Sequence, residues 1–181
     1  QWTGSELPLS FASDSNPTDP VSNVNDKLIS FNDRPANRWT NWNRTNPEAS
    51  VGVLFGDSGI LSKRSVDNLS VGFHEDHGVG VPKSYVIEYY VGKTVPTAPK
   101  NPSFVGEENH AFNDPANWKE VSNLKAPAQL KAGEMNHFSF DKVETYAVRI
   151  RMVRLDSKKG TSITEVQIFA KQVAAAKQGQ T

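Results

Sequence analysis

The stretch AVRIRMV at residues 147–153 and the stretch LSVGF at residues 69–73 alternate between apolar residues and residues that are mostly polar or small. Successive side chains of a β-strand point to opposite faces, so a period of two predicts a strand with one buried and one solvated face. Strands of this kind are typical of antiparallel sheets. The two stretches therefore predict an all-β protein.

Working outward, short runs of β-branched and aromatic residues recur along the chain and are separated by turn residues and prolines. No amphipathic run of useful helical length lies between them. Many short strands with polar outer faces favour an antiparallel β-sandwich of the jelly-roll type. We predict strands at residues 27–31, 50–55, 66–73, 85–91, 118–121, 136–140, 147–153 and 161–170.

The composition of the 181 residues narrows the class of partner. Twenty basic residues balance twenty acidic ones, which leaves no positive field for a phosphate backbone or an anionic membrane. No run approaches the ~20 apolar residues that span a bilayer. Cysteine is absent, which excludes disulfides and thiolate zinc sites. We therefore predict neither nucleic-acid binding nor membrane insertion.

Composition shifts suggest three regions. Residues 1–24 are rich in turn formers and are predicted to form an extended leading segment, whereas residues 171–181 form a polar tail or linker. Residues 25–170 then form the β-sandwich. A chain of this size is expected to be one domain. We expect it to be a monomeric module within a larger multidomain protein.

The stretch NRWTNWNR at residues 37–44 carries two of the four tryptophans, together with two arginines and three asparagines. The C–H face of a pyranose packs on an indole, while its hydroxyls require directional polar partners. Trp42 is therefore predicted to be a sugar platform, with Asn41 and Arg44 as contacts. Trp39 by itself fits a core position better.

A second candidate wall is FHEDHGVG at residues 73–80, where glycines permit close approach of the backbone to a ligand. Two other interpretations stay open, a transition-metal site built from its His, Glu and Asp side chains, and a solvated hairpin tip. Residues three apart on a strand face opposite ways, which argues against the metal site. The predicted ligand contacts are Asn41, Trp42, Arg44, His74, Asp76, His77 and Lys83.

The acidic residues of the chain do not form the pattern that a glycosidase requires. A glycosidase needs two carboxylates at a set separation, one of them with a raised pKa. The acids on offer lie chiefly in polar loops, and the chain has no nucleophile elbow, phosphate-binding glycine loop or H-E-x-x-H motif. We therefore predict that the chain is not an enzyme. The candidate acids were Glu75, Asp76, Glu107, Glu108 and Asp114.

The succession of these pieces resembles a known family. Asp33 and Asn37 precede Arg38-Trp39, and VGVLF at 51–55, YVIEY at 85–89, WKEV at 118–121, AVRIR at 147–151 and ITEVQI at 163–168 follow in order. Over roughly residues 25–170 this order resembles discoidin-like (coagulation factor 5/8 type C) modules. It is more similar still to the family 71 galactose-binding modules of pneumococcal-type surface β-galactosidases.

That resemblance implies a function. It implies a non-catalytic carbohydrate-binding module, part of a larger secreted glycosidase on the bacterial cell surface, that recognises terminal β-galactose in lactose or N-acetyllactosamine and targets host glycans. The alternative is a discoidin-like protein- or membrane-adhesion domain, which would carry exposed apolar residues on its loop tips. Both candidate tips here are polar instead.

The resemblance also implies a structural calcium, although no cofactor is required for binding. Oxygen ligands suit Ca²⁺. The family pattern has Ser or Thr where Asn37 stands and spaces the Asp one residue further from the Trp, so the match is incomplete. An Asx turn at Asp33 and a solvated Glu165 are the other interpretation. The matching positions are Asn32, Asp33, Asn37 and Glu165.

Overall fold

A computed structural model describes residues 8–25, 38–57 and 60–173. The described chain is built from β-strands and short 3-10 helices. The helices are Val21–Asn25, Pro102–Glu107, Ala111–Asn113 and Pro115–Asn117. The strands are β1 (Leu9–Ala12), β2 (Trp39–Thr40), β3 (Glu48–Leu54), β4 (Gly56–Asp57), β5 (Ile60–Leu61), β6 (Arg64–Phe73), β7 (Val79–Gly80), β8 (Ser84–Tyr90), β9 (Trp118–Glu120), β10 (Met135–Thr145), β11 (Ala147–Val153), β12 (Gly160–Gln167) and β13 (Lys171–Gln172).

The strands form two main sheets. One has five antiparallel strands in the order β1-β3-β11-β8-β9, and the other has the path β10-β6-β12-β2, with β13 beside β6 and β7 beside β12. All pairs are antiparallel except β7 with β12. The predicted all-β antiparallel sandwich is confirmed.

The core lies between the sheets, where the apolar faces of the alternating strands meet. Ile150 stands opposite Val51 and Ile87 in the five-stranded sheet. It belongs to one buried cluster with Val71 and Ile163 of the other sheet. The period of two in β11 therefore places Val148, Ile150 and Met152 inward and its two arginines outward. The predicted strand at 27–31 lies outside the described residues.

The outer face of the five-stranded sheet is covered by the long segment 91–117, which carries three of the 3-10 helices. Phe112 from this segment packs on Phe11 of β1 at 4.5 Å and on Trp118 of β9 at 5.3 Å between ring centroids. The Trp118 indole N–H donates to the Phe112 carbonyl at 2.9 Å. A second hydrophobic cluster thus lies outside the sandwich.

The described part of the leading segment 1–24 belongs to the sandwich. Strand β1 pairs with β3, with Leu9 opposite Leu54, and the helix Val21–Asn25 supplies two buried valines. A strand of the sandwich, β1, thus lies before the domain boundary that the sequence predicts at residue 25. The polar and proline-rich composition of residues 13–20 made the short apolar strand β1 difficult to predict from sequence. No helix within the described ranges is long and apolar enough to cross a membrane.

Candidate functional site

A tight turn after β2 presents Trp42. The Arg44 N–H donates to the Asn41 carbonyl at 3.2 Å, and Asn43 adopts a φ of 61°, a left-handed conformation that asparagine tolerates. The Trp42 carbonyl accepts from the Asn16 amide at 3.0 Å. The turn leaves the Trp42 side chain 49% exposed.

Two glycines hold Trp42 in place. A Cβ on Gly78 would lie 2.6 Å from the indole Nε1 of Trp42, so only glycine lets the ring pack against this backbone. A Cβ on Gly160 would lie 3.1 Å from both the backbone N and the Cα of Trp42. The indole is thus braced along one edge while much of its surface stays open to solvent.

The loop between β6 and β7 is organised by Asp76. Its Oδ1 accepts the N–H groups of Gly78 at 2.8 Å and Val79 at 3.1 Å, while its Oδ2 lies 3.5 Å from both Arg38 Nη2 and His74 Nε2. Partial burial acts to raise the pKa of this carboxyl. The N–H donors and the two nearby side chains outweigh burial and hold the pKa below its usual value.

Together the turn and the loop enclose a cleft of about 510 Å³, a size typical of small-molecule sites. In its wall, the Thr40 hydroxyl donates a hydrogen bond to Asp19 Oδ2 at 2.7 Å. An indole, a guanidinium, an imidazole, an ammonium and two carboxylates thus line one cavity. The lining residues are Asp19, Arg38, Thr40, Trp42, Asp76, His77, Gly78, Val79 and Lys158.

Of the seven predicted contacts, the cleft contains Trp42, Asp76 and His77. Asn41 is only 1% exposed, and its side-chain oxygen accepts the Thr161 N–H at 2.7 Å, which ties the turn to β12. The Asn41 amide therefore has a structural partner inside the protein.

The other three predicted contacts lie elsewhere. Arg44 turns away from the cleft: its Nε donates to Asp14, which follows β1, at 2.9 Å, and its guanidinium lies over the Phe104 ring of the long segment at 5.3 Å. His74 is 3% exposed and faces Asp76 from behind the cleft wall. Lys83 is exposed but does not line the cleft. None of the three lines the cavity, and of them only His74 contacts a lining residue, Asp76.

Six lining residues were not among the predicted contacts, and the four with polar or charged side chains come from two sources. Arg38 and Thr40 lie within the stretch 37–44 and alternate with the buried Trp39, a strand pattern that points both away from the core. Asp19 and Lys158 come from distant turns. In the second turn Asp156 accepts the Lys158 N–H at 2.7 Å. Only the folded chain brings those two residues to the cleft.

Metal binding stays a prediction. No group of three or more His, Cys, Asp or Glu side chains that could hold a metal occurs within the described ranges. Asn32, Asp33 and Asn37 of the predicted calcium set lie outside those ranges. Glu165 is buried on β12, not on a solvated face, because residues 160–166 of this strand are buried on both faces of the sheet.

Most of the candidate catalytic acids form ion pairs or hydrogen bonds within loops. Such contacts occupy the carboxylates that a glycosidase would need for proton transfer or attack. Glu75 pairs with Lys159 at 3.3 Å, Glu107 pairs with Arg44 at 3.6 Å, and Glu108 and Asp114 accept backbone N–H groups.

Comparisons with known proteins show the family and the fold. The family model for the beta-galactosidase-like, galactose-binding domain (BgaA-like carbohydrate-binding module) matches residues 10–166. A solved structure from work on the Streptococcus pneumoniae beta-galactosidase BgaA is 89% identical, covers 94% of this chain and 96% of its own, and superposes with a TM-score of 0.91. The comparison with curated proteins gave no match.

More distant structures share the fold. The family 32 carbohydrate-binding module of C. perfringens NanJ, solved with galactose, is 15% identical with a TM-score of 0.57, over 88% of this chain and 91% of its own. Chitosan-binding module 1 from Paenibacillus sp. IK-5 is 15% identical with a TM-score of 0.58, over 93% of this chain and 99% of its own. The chain therefore belongs to the BgaA-like galactose-binding domain family, and it is a non-catalytic carbohydrate-binding module with a discoidin-like β-sandwich.

Proposed function

We propose that the Trp42 cleft binds the terminal β-galactose of lactose or N-acetyllactosamine. The observation that carries this proposal is the half-exposed indole of Trp42, braced on Gly78 beside a cavity lined by charged side chains. The apolar face of a sugar ring would pack on the indole. Its hydroxyls would bind Asp76, His77 and the added residues Arg38, Asp19 and Lys158.

The arrangement of donors and acceptors suits hydroxyl groups. Each hydroxyl both donates and accepts, so a carboxylate beside a guanidinium satisfies neighbouring hydroxyls of one ring. Arg38 Nη2 and Asp76 Oδ2 are 3.5 Å apart, so one sugar hydroxyl placed beside the pair could accept from the guanidinium and donate to the carboxylate. We infer that the pair is the main polar anchor of the sugar.

We expect the affinity to be weak. Each hydrogen bond to the sugar replaces one to water and contributes only ~0.5–1.5 kcal/mol. A Kd between about 1 mM and tens of micromolar follows, equivalent to roughly −4 to −7 kcal/mol. Attachment of the parent β-galactosidase to galactose-terminated host glycans at the bacterial surface would then depend on several modules acting together.

The alternative, an adhesion module for proteins or membranes, fits the loops less well. Such a module would present apolar side chains around its cleft. Apart from Trp42, the exposed cleft residues His77 and Lys158 are polar. The polar rim favours a saccharide.

Titration calorimetry of the isolated chain tests the proposal. Lactose and N-acetyllactosamine should release heat, and cellobiose, which ends in glucose, should bind more weakly. Trp42→Ala should lose binding, whereas Phe169→Ala, which removes a 75%-exposed aromatic elsewhere, should keep it. Absence of heat with every galactoside at millimolar concentration, or equal affinity of Trp42→Ala and wild type, would disprove the assignment.

A further inference from the structure

A second cleft, of about 450 Å³, opens between the outer face of the five-stranded sheet and the segment around the helix Pro102–Glu107. It shares no lining residue with the Trp42 cleft. Its floor is formed by β3, β8 and β11, so the side chains that project into it sit on paired strands. A site on paired strands has a fixed geometry, which loops alone do not provide.

The floor of this second cleft is a paired charge cluster. Glu88 of β8 accepts from Arg149 Nε at 2.9 Å, from Arg151 Nε at 3.1 Å and from Arg151 Nη2 at 3.2 Å. Burial acts to raise the pKa of the Glu88 carboxyl, but the two guanidiniums outweigh burial and lower it. Arg149 also lies over the Trp118 ring at 4.0 Å. These inner groups therefore satisfy one another.

The outer pair is different. Arg151 Nη1 donates to Glu48 Oε2 at 3.2 Å, and the two side chains are 35% and 47% exposed. This single contact engages one Glu48 oxygen at the cleft mouth. The Asn46 side-chain oxygen accepts the Glu48 N–H at 3.0 Å and orients the start of β3. A rigid donor and an acceptor thus stand side by side, facing solvent.

We propose that this second cleft is an additional saccharide-binding site, in which Arg151 and Glu48 bind adjacent hydroxyls of a neutral pyranose. Arg151 donates to one hydroxyl and Glu48 accepts from the next. Two arginines balance two glutamates in the cluster, so it has no excess positive charge to favour an acidic sugar. Sugar binding at the second cleft does not depend on sugar binding at the Trp42 cleft, because the two share no lining residue.

The position of the second site relative to the first has a functional consequence. Glu48 follows Trp42 by six positions, so their Cα atoms lie at most ~22 Å apart. A branched or extended glycan that spans this distance along the surface would contact both clefts. Two weak sites joined in this way bind more tightly than either alone.

Titration followed by NMR of the Trp42→Ala variant tests the second site without the first. The probes are lactose, cellobiose and mannobiose, each raised to about 100 mM, well above the millimolar Kd expected of a site without an exposed aromatic. At least one disaccharide should shift the Arg151 side-chain N–H signal and the backbone signals of β3. Glu48→Ala in the same background should weaken that titration at least tenfold.

The matched control is Glu144→Ala, an exposed glutamate on the other sheet, which should leave the titration unchanged. Glu48→Gln keeps the size of the side chain, and it should also weaken binding because a charged acceptor is lost. The second site is refuted if none of the three sugars shifts these signals, or if both Glu48 variants titrate like their parent. Neither result bears on lactose binding by the intact Trp42 cleft, which calorimetry measures separately.

Discussion

Trp39 and Trp42 lie three positions apart in one stretch, yet one side chain lies in the core and the other at the surface. Trp39 is completely buried on β2, and its indole N–H donates to the Ser15 hydroxyl at 2.9 Å. Trp42 lies in the turn that follows and is half exposed over a cleft. The residue type is the same, so the difference in role comes from the backbone that carries each side chain.

The neighbours of the two indoles explain this difference. Trp39 pairs with Ile163 across the sheet and joins the core cluster between the sheets. Trp42 rests instead on Gly78, where the lack of a Cβ makes space for the ring at the surface. The core region stabilises the fold, and the cleft region is free to contact a ligand.

The largest effect that we expect from separating these regions is on stability. Trp39→Ala removes a fully buried indole and leaves a cavity, so the free energy of unfolding should fall by ~3–5 kcal/mol. Urea denaturation followed by circular dichroism measures this loss. Trp39→Phe should recover part of it. A loss below about 1 kcal/mol for the alanine variant would contradict the core assignment.

The second prediction concerns binding. Trp42→Ala should weaken lactose affinity at least tenfold, equivalent to about 1.4 kcal/mol, because the stacking surface is lost. Its free energy of unfolding should stay within ~0.5 kcal/mol of wild type, as for other exposed substitutions. Calorimetry and denaturation of the same preparation check both values. If Trp42→Ala were strongly destabilised and kept its lactose affinity, the assignment of Trp42 as the platform and Trp39 as the core residue would be wrong.

A third, smaller effect should follow from moving the platform without removing it. In Gly78→Ala the new Cβ would lie 2.6 Å from the indole Nε1, so the Trp42 ring must shift and lactose affinity should fall several-fold. Gly80→Ala is the matched control, since its Cβ meets only the flexible ends of Lys159 and Glu75 at 3.3–3.4 Å. Equal affinities for the two variants would show that the ring position is unimportant.

The smallest effect is on pH dependence. The pKa of Asp76 is lowered in the folded state, so its contribution to stability is present above about pH 4, the ordinary value for the unfolded chain, and is lost as pH falls below it. For this partly exposed group the loss should be under about 1 kcal/mol. Urea denaturation at pH 5 and pH 3 should show a smaller drop for Asp76→Asn than for wild type. Identical drops would argue against the charged loop contacts.

Much of the fold was predictable because local pattern and burial agree. The alternation in residues 147–153 and 69–73 predicted strands β11 and the end of β6, and their apolar faces do form the core. The leading segment was harder. The few apolar residues of β1 stand beside turn-rich sequence, and their burial depends on β3 and on Phe112, which are far away along the chain.

The candidate site was predictable only in part. Trp42, Asp76 and His77 come from two stretches whose residue types by themselves indicate ligand contact. Asn41 and Arg44 have equally suitable chemistry, but the turn directs one into β12 and the other towards the long segment. Within a single turn, the backbone direction at each residue decides whether its side chain faces the cleft or the protein.

The antiparallel sandwich and the absence of disulfides follow from the amino-acid sequence, which also indicates Trp42 as a candidate platform. Each of these depends on residue type and on spacing along the chain. The tertiary structure alone decided which polar groups share a cavity. Asp19, Arg38 and Lys158 meet at the Trp42 cleft, and Glu48 and Arg151 meet at the second cleft, because strand pairing and loop packing join residues that lie far apart in sequence.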